Sequence, residues 1–169
     1  MYKFDAFMSH DWGKERVNHE KVLRIHGELK RKGLSPWVDQ EQMSGNIYSK
    51  MCEGIDGSAC VIVFVTENYM KKVGGDNMND NCRLEFNYAA QRKTSLKIVP
   101  VVMEAALRDI STWTGRVGMF LAGTLYVDMS GDLSDPLHLV SKVDELNAAI
   151  INIIGESVAV KSLRSPIGK

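Results

Sequence analysis

Short apolar runs alternate along the chain with segments whose apolar residues recur at helical spacing. The runs predict five strands, which extend from Lys3 to Ser9, Leu34 to Gln40, Cys60 to Thr66, Leu96 to Met103 and Gly123 to Asp128. The spacing predicts helices from Val17 to Lys32, Ile47 to Asp56, Asn79 to Ala90 and Leu137 to Ile154. Residues 104–122 show no clear pattern, and residues 155–169 are typical of a tail or linker that follows a domain of residues 1–154.

The third predicted strand determines the fold class. It is apolar on both faces, as are the strands of parallel sheets that helices cover on each side. Strands that alternate with helices, joined by right-handed crossovers, give a doubly wound sheet. The predicted class is therefore α/β, a flavodoxin-like three-layer fold with a five-stranded parallel sheet of order 2-1-3-4-5. Pro36 suits the edge position that this order gives to the second strand.

The fold class also predicts where a ligand would bind. In doubly wound sheets, ligands lie beyond the carboxyl ends of the strands, where the strand order reverses. Those ends are residues 9–12, 39–45 and 66–68 in this chain. The helix that begins near Asn79 is expected to start just after the third of them, close to the crevice.

Glu85 is an unusual residue on that helix. At about 100° per residue, Cys82, Phe86 and Ala89 share the face that should pack against the sheet. Glu85 lies only about 40° from Ala89 on the same projection. A carboxylate is therefore surrounded by small and apolar neighbours at the edge of a buried face.

Two structural explanations of Glu85 compete with a functional one. A capping box would place the N-cap at Cys82, which is a poorer cap than Asp80 or Asn81. A partly exposed acid, favoured by the helix dipole or paired with Arg92, remains open.

Composition narrows the partners and the compartment. The 169 residues allow one domain with a sizeable core, and 21 basic residues balance 21 acidic ones, so we expect no nucleic-acid partner. The apolar runs are too short to span a bilayer, and the first residues already form a predicted strand, so we expect neither a membrane partner nor a signal peptide. Cys52, Cys60 and Cys82 show no metal-ligand spacing, so we expect no metal site. An odd and sparse set of cysteines fits a reducing compartment, so we expect a cytoplasmic protein.

Two common uses of this fold do not fit the sequence. A phosphoacceptor receiver domain needs clustered acids at the strand ends and a lysine after the fourth strand. Here the first strand ends in Met8-Ser9 and the fourth in Met103-Glu104. A GxGxxG dinucleotide site is absent as well, because the turn after the first strand contains a single glycine, Gly13.

Five motifs together resemble the TIR domain, the Toll/interleukin-1-receptor and plant-resistance-protein module, over residues 2–154. They are "YKFDAFMSH" (2–10), "GLSPWVDQEQMSGN" (33–46), "GIDGSACVIVFVTENYM" (54–70), "NCRLEF" (81–86) and "IVPVV" (98–102). The resemblance implies the flavodoxin-like sheet that the pattern already predicts. It also implies one of two functional kinds.

One kind of TIR domain cleaves NAD+ and releases nicotinamide and ADP-ribose or a cyclic ADP-ribose. Its catalytic glutamate lies three positions after a cysteine or similar residue, a spacing that Cys82 and Glu85 match. The resemblance therefore implies an NAD+ nucleosidase with Glu85 as the catalytic residue, activated by self-association in immune or cell-death signalling. The other kind is a non-enzymatic adaptor, and the loop at 42–45 departs from the proline-containing form of that kind. A domain that binds NAD+ as a sensor is a third possibility.

The resemblance further implies substrate-binding roles around the crevice, with NAD+ as the substrate, no other cofactor, and other TIR domains as partners. The loop after the first strand, expected near the nicotinamide and ribose, contributes Ser9, His10, Asp11 and Trp12. His10 would be a donor to the ligand or simply an exposed turn residue.

Cys82 is a further candidate for contact with the substrate, and the second strand and its loop supply the others. Trp37 occupies a position where the enzymes often have an aromatic residue against the ligand, although an ordinary core or edge tryptophan is equally consistent. Asp39 contacts the ligand or only anchors its loop. Ser44, with Gly45 and Asn46, is expected to act in the site of a neighbouring chain.

Overall fold

All five predicted strands form, and they pair as one sheet. The computed structural model describes residues 1–38 and 46–164, with side chains as far as residue 156. Its strands are β1 Phe4–Ser9, β2 Pro36–Trp37, β3 Ser58–Val65, β4 Ile98–Val102 and β5 Val127–Asp128. Its helices are α1 Val17–Arg31, α2 Ile47–Asp56, α3 Glu67–Gly74, α4 Asn81–Arg92, α5 Gly115–Leu121 and α6 Pro136–Arg164.

The sheet has the predicted order β2-β1-β3-β4-β5, and every pairing is parallel. Ser9 at the end of β1 lies beside Val63 of β3, so the loops after these two strands leave the sheet side by side. β2 is an edge strand, as Pro36 predicts. The predicted fold class, α/β with a flavodoxin-like sheet, is confirmed.

Helices cover both faces of the sheet because side chains alternate along buried strands. On one face, Ala6 and Met8 pack with α1 and α6. On the other face, Phe7 and the odd-numbered valines of β3 pack with α2, α3, α4 and α5. All residues of β3 are buried, which explains its apolar sequence. Glu85, which α4 carries, therefore lies on the four-helix face.

Several elements differ from the sequence prediction. α3 was not predicted; it begins after the N-cap Thr66, whose Oγ1 accepts a hydrogen bond from the Tyr69 amide. Glu85 is thus on the second helix after β3 and not on the first. The last helix continues to Arg164, so the predicted end at Ile154 was wrong. β5 forms only over Val127–Asp128 because the residues before it do not pair with β4.

The segment 104–122, which had no clear pattern, folds as short 3₁₀ turns followed by α5. Trp113 is buried there, and its indole N–H donates to the Leu107 carbonyl at 2.8 Å. This contact places Trp113 in the core and not in a ligand site. Among the described residues, no helix is long and apolar enough to cross a membrane.

Candidate active site

Glu85 lies within α4, beyond its first turn. The helix is capped by Asp80, whose side chain accepts a hydrogen bond from the Arg83 amide at 3.2 Å. The capping-box explanation is therefore excluded, because Glu85 is not at the third helical position. Arg92 pairs with Asp56 at 2.8 Å. The exposed fraction of Glu85 is only 9%, so the carboxyl group is buried and not a surface acid favoured by the dipole.

Ser9 connects Glu85 to the end of β1. The Ser9 hydroxyl donates to Glu85 Oε2 at 2.6 Å, and its oxygen lies 2.8 Å from the Tyr69 hydroxyl. Because a serine hydroxyl has one hydrogen, Tyr69 is the donor in the second bond. Burial raises the pKa of Tyr69 well above its usual value, so this phenol keeps its proton. The result is a chain of two hydrogen bonds, in which Tyr69 donates to Ser9 and Ser9 donates to Glu85.

Cys82 lies one turn before Glu85 and is buried. Its thiol donates to the His10 carbonyl oxygen, with sulfur and oxygen 3.5 Å apart. Burial first, and then the nearby charge of Glu85, raise the pKa of the Cys82 thiol well above the usual value. The thiol therefore stays protonated, which fits a packing role beside the acid and not a nucleophile.

The ring of His10 is buried and makes two hydrogen bonds. Its Nδ1 lies 3.2 Å from the Met8 carbonyl oxygen, which can only accept, so Nδ1 carries the hydrogen. Its Nε2 then accepts from His19 Nδ1 at 2.7 Å. Burial lowers the pKa of His10 to about 4, so the ring is neutral at pH 7. Of the two alternatives left open for His10, the exposed turn residue is excluded, because the residue is 6% exposed.

His19, which the sequence analysis did not consider, holds the neighbouring tryptophan. Its ring is stacked between His10, at 5.0 Å between centroids, and Trp12, at 4.2 Å. The Arg16 guanidinium lies on the same Trp12 ring, 4.8 Å from its centroid. One sequence signal for His19 existed, since it lies near the start of α1 and its neighbours three and six positions on, Val22 and Ile25, are core residues.

Asp11 is buried and fixes the loop after β1. Its carboxylate accepts hydrogen bonds from the Thr66 hydroxyl and, at 3.0 Å, from the Asn68 amide. The Asp11 carbonyl accepts a further one from Asn18 at 2.6 Å. Asp11 thereby links the loops after β1 and β3, and these partners explain how a buried carboxylate is accommodated.

These side chains surround a cavity of about 120 Å³ at the carboxyl edge of the sheet. Its lining residues are Met8, His10, Asp11, Trp12, Lys72, Asn81, Cys82 and Glu85. A typical small-molecule pocket has about 300–1,000 Å³, so this cavity accommodates only part of a dinucleotide. Asp11 also lines a larger cavity of about 630 Å³, with Lys14, Lys21 and Glu104 in its wall.

The four candidate residues after β1 and Cys82 thus lie close to Glu85. Trp37 does not line the cavity that contains Glu85. Its ring is stacked on Phe7 at 4.7 Å between centroids, and it borders a separate cavity beside Gly54. Asp39 and Ser44 lie outside the described residues. Asn46 caps α2, accepting a hydrogen bond from the Ser49 amide at 3.3 Å. No cluster of potential metal ligands occurs in residues 1–38 and 46–164.

The doubly wound fold, with a buried acid at the carboxyl edge of the sheet, defines an α/β domain with a candidate active site. Sequence comparisons identify its family. The family model described as TIR domain matches residues 7–140, so the chain belongs to the TIR domain family. A relative from Methanobrevibacter olleyae, named "Probable 2' cyclic ADP-D-ribose synthase TcpO", is 27% identical over 122 residues. The match covers 71% of this chain and 33% of the relative, so the chain spans about a third of that protein's length.

Proposed function

We propose that this TIR domain cleaves the bond between nicotinamide and ribose in NAD+, with Glu85 as the catalytic residue. The observation that carries the proposal is the Glu85 carboxylate, 9% exposed and oriented by Ser9, in the wall of the cavity at the carboxyl edge of the sheet. The relative's name supports the substrate class, since a cyclic ADP-ribose is formed from NAD+ by loss of nicotinamide.

One carboxylate is enough for this reaction in principle. The nicotinamide of NAD+ is cationic and leaves as a neutral molecule, so no acid has to protonate it. The ribose left behind becomes positively charged, as in glycoside hydrolysis. A carboxylate held against that ribose stabilises the developing charge, and its effect is stronger where water is excluded.

The neighbours of Glu85 restrict its motion. Ser9 holds one carboxylate oxygen, and Tyr69 holds Ser9, so two buried hydroxyls orient the acid before the substrate arrives. A preorganised group needs less rearrangement during the reaction. His10 and Cys82 are both uncharged at pH 7, so neither adds a charge beside the acid.

The second product depends on what attacks the ribose. Water gives ADP-ribose, whereas a nucleophile within the same molecule gives a cyclic ADP-ribose. The relative's name specifies a 2' cyclic product, so we include a cyclic form among the products. Mass spectrometry separates the two, because the cyclic product is lighter by one water molecule.

The first test compares nicotinamide release from NAD+ by the wild type, Glu85→Gln and Glu145→Gln. Glu145 is a control on α6, with a side chain that is 52% exposed. Gln keeps the shape of the acid but removes its charge, so Glu85→Gln should lower release at least about 100-fold. Glu145→Gln should retain wild-type release. The proteins are assayed at high concentration and on a clustering scaffold.

Each other result has a definite meaning. Equal release by the wild type and Glu85→Gln would show that the protein cleaves NAD+ but that the catalytic acid is another residue. No release by the clustered wild type would favour an adaptor that acts through TIR–TIR contacts. Tight NAD+ binding without release would favour a sensor.

Self-association is part of the proposal, because the cavity accommodates only part of NAD+. Exposed apolar side chains in the segments that flank β5 in the sequence support it: Met119 of α5 is 83% exposed, Leu125 before β5 is 95% exposed, and Leu137 at the start of α6 is 83% exposed. Apolar side chains gain free energy when another chain covers them. A function in immune or cell-death signalling would follow from such assembly and is part of the same proposal.

A further inference from the structure

Lys72 lies in the wall of the cavity that contains Glu85. It belongs to α3, the helix that the sequence analysis missed, near the point where the chain turns towards α4. Among the described residues that line this cavity, it is the one lysine or arginine. Its side chain is 38% exposed, so a ligand in the cavity can reach the ammonium group.

The present partner of Lys72 is a weak one. Its Nζ is 3.8 Å from Asp80 Oδ2, longer than a hydrogen bond. The other oxygen of Asp80 caps α4 through the Arg83 amide, which fixes this carboxylate at the helix start. Partly exposed ion pairs contribute only about 0–1 kcal/mol. Most of the hydrogen-bonding capacity of the ammonium group therefore remains available to a ligand.

The cavity wall carries the ammonium group of Lys72 and the carboxylate of Glu85, and NAD+ also carries charges of both signs. Lys72 lies beside Asp80 at the start of α4, and Glu85 is five residues further along the helix, roughly 7 Å at the helical rise per residue. NAD+ has a positive nicotinamide ring on one side of its ribose and a negative diphosphate on the other. A carboxylate at one end and an ammonium group at the other would fix the direction in which NAD+ enters.

We propose that Lys72 binds the diphosphate of NAD+ and so positions the ribose against Glu85, an assignment that rests on the proposed function. Lys72 acts through binding and not in the bond cleavage itself. It selects substrates that carry a phosphate next to the nicotinamide ribose. A phosphate-free nicotinamide nucleoside gains nothing from this residue.

The kinetic test compares Lys72→Met with Lys71→Met and Lys72→Arg. Lys71 is the adjacent residue of α3, but its side chain is 70% exposed and pairs with Glu67 at 2.9 Å on the surface. We expect Lys72→Met to raise KM for NAD+ about tenfold with kcat changed less than about twofold, the size of one charge-assisted contact. Lys72→Arg should restore most of the affinity, and Lys71→Met should behave as the wild type.

A binding test keeps this inference separate from the catalytic one. Calorimetric titration with ADP-ribose, which carries the diphosphate, should show about tenfold weaker binding by Lys72→Met. Titration with nicotinamide riboside, which carries no phosphate, should give equal affinities. Asp80→Asn is a third variant, since asparagine caps a helix equally well but does not attract the ammonium group. It should bind ADP-ribose at least as tightly as the wild type.

The results separate the two proposals. Lys72-dependent ADP-ribose binding without nicotinamide release would support this inference and contradict the proposed function. An unchanged KM and ADP-ribose affinity in Lys72→Met would overturn this inference, as would an equal loss in Lys71→Met or an absence of ADP-ribose binding by the wild type. Thermal unfolding of each variant identifies any loss that comes from misfolding.

Discussion

At the scale of single residues, the candidate site contains polar groups that burial keeps neutral. His10 is 6% exposed and His19 is fully buried, and their rings share one hydrogen bond of 2.7 Å. In the neutral pair, the Met8 carbonyl determines which nitrogen of His10 carries hydrogen, and His10 then determines the tautomer of His19. One backbone oxygen thereby orders two rings that lie beside Trp12.

The burial of His10 predicts that the folding stability depends on pH. The pKa of His10 is lowered from 6.5 to about 4 in the folded chain, chiefly by burial. The unfolded chain therefore binds more protons below pH 6.5, and stability is lost as pH falls through that value towards 4. Between pH 7 and pH 5 this group should lower the free energy of unfolding by about 2 kcal/mol. Urea unfolding at several pH values measures this change in the free energy of unfolding.

The matched variant for that measurement is His10→Asn, whose side-chain amide can still donate towards Met8. It should lose less stability between pH 7 and pH 5 than the wild type. A residual slope is expected, because the pKa values of His19 and His26 are also lowered by burial. Equal slopes in both proteins would show that His10 is not the titrating group.

At the scale of elements, glycines show how closely helices approach the sheet. Gly54 of α2 lies over the rings of Phe7 and Trp37, and a Cβ there would be 3.0 Å from Phe7 and 3.3 Å from Trp37. Gly27 of α1 has no atom within 4 Å of the corresponding position. A close contact with the sheet therefore explains the glycine in α2, whereas no such contact explains the glycine in α1.

Alanine substitution should have opposite effects at these two glycines. Gly54→Ala should destabilise the protein by about 1–3 kcal/mol, because the ring stack under α2 has to shift. Gly27→Ala should stabilise it by about 0.5–1 kcal/mol, because alanine loses less backbone entropy in a helix. Chemical denaturation of both variants checks the signs. A stabilising Gly54→Ala would show that α2 can move away from Phe7.

The elements also explain why sequence patterns missed α3. This helix has only eight residues, and three of them, Tyr69, Met70 and Val73, are buried. A glycine- and asparagine-rich segment follows it, and the whole region resembled one loop. The N-cap Thr66 was a usable signal. Missing α3 removed both Tyr69 and Lys72 from the candidate site residues.

At the scale of the whole molecule, the site is smaller than its proposed substrate. The cavity of about 120 Å³ is below the usual volume of a ligand pocket, so NAD+ must extend beyond it. From the resemblance to TIR domains, Ser44 is expected to act in the site of a neighbouring chain. A second chain that completes the site would make cleavage depend on assembly.

This dependence gives the prediction that belongs to the whole molecule. Nicotinamide release per chain should rise with protein concentration and on a clustering scaffold, because more chains then have a neighbour. Activity assays over a concentration series, alongside light scattering, measure both quantities. Release per chain that stays constant while assembly increases would show that one chain holds a complete site.

The sequence by itself determined the five strands, the helices α1, α2, α4 and α6, the parallel sheet and the unusual position of Glu85, because these depend on the local alternation of apolar and polar residues. Tertiary structure decided which side chains meet Glu85. Ser9 and Tyr69 are sixty positions apart in the chain, yet their hydroxyl oxygens are 2.8 Å apart. Such contacts depend on the packing of α3 and α4 against the sheet, which no local pattern contains. The same packing placed Lys72 in the cavity and left Trp37 outside it.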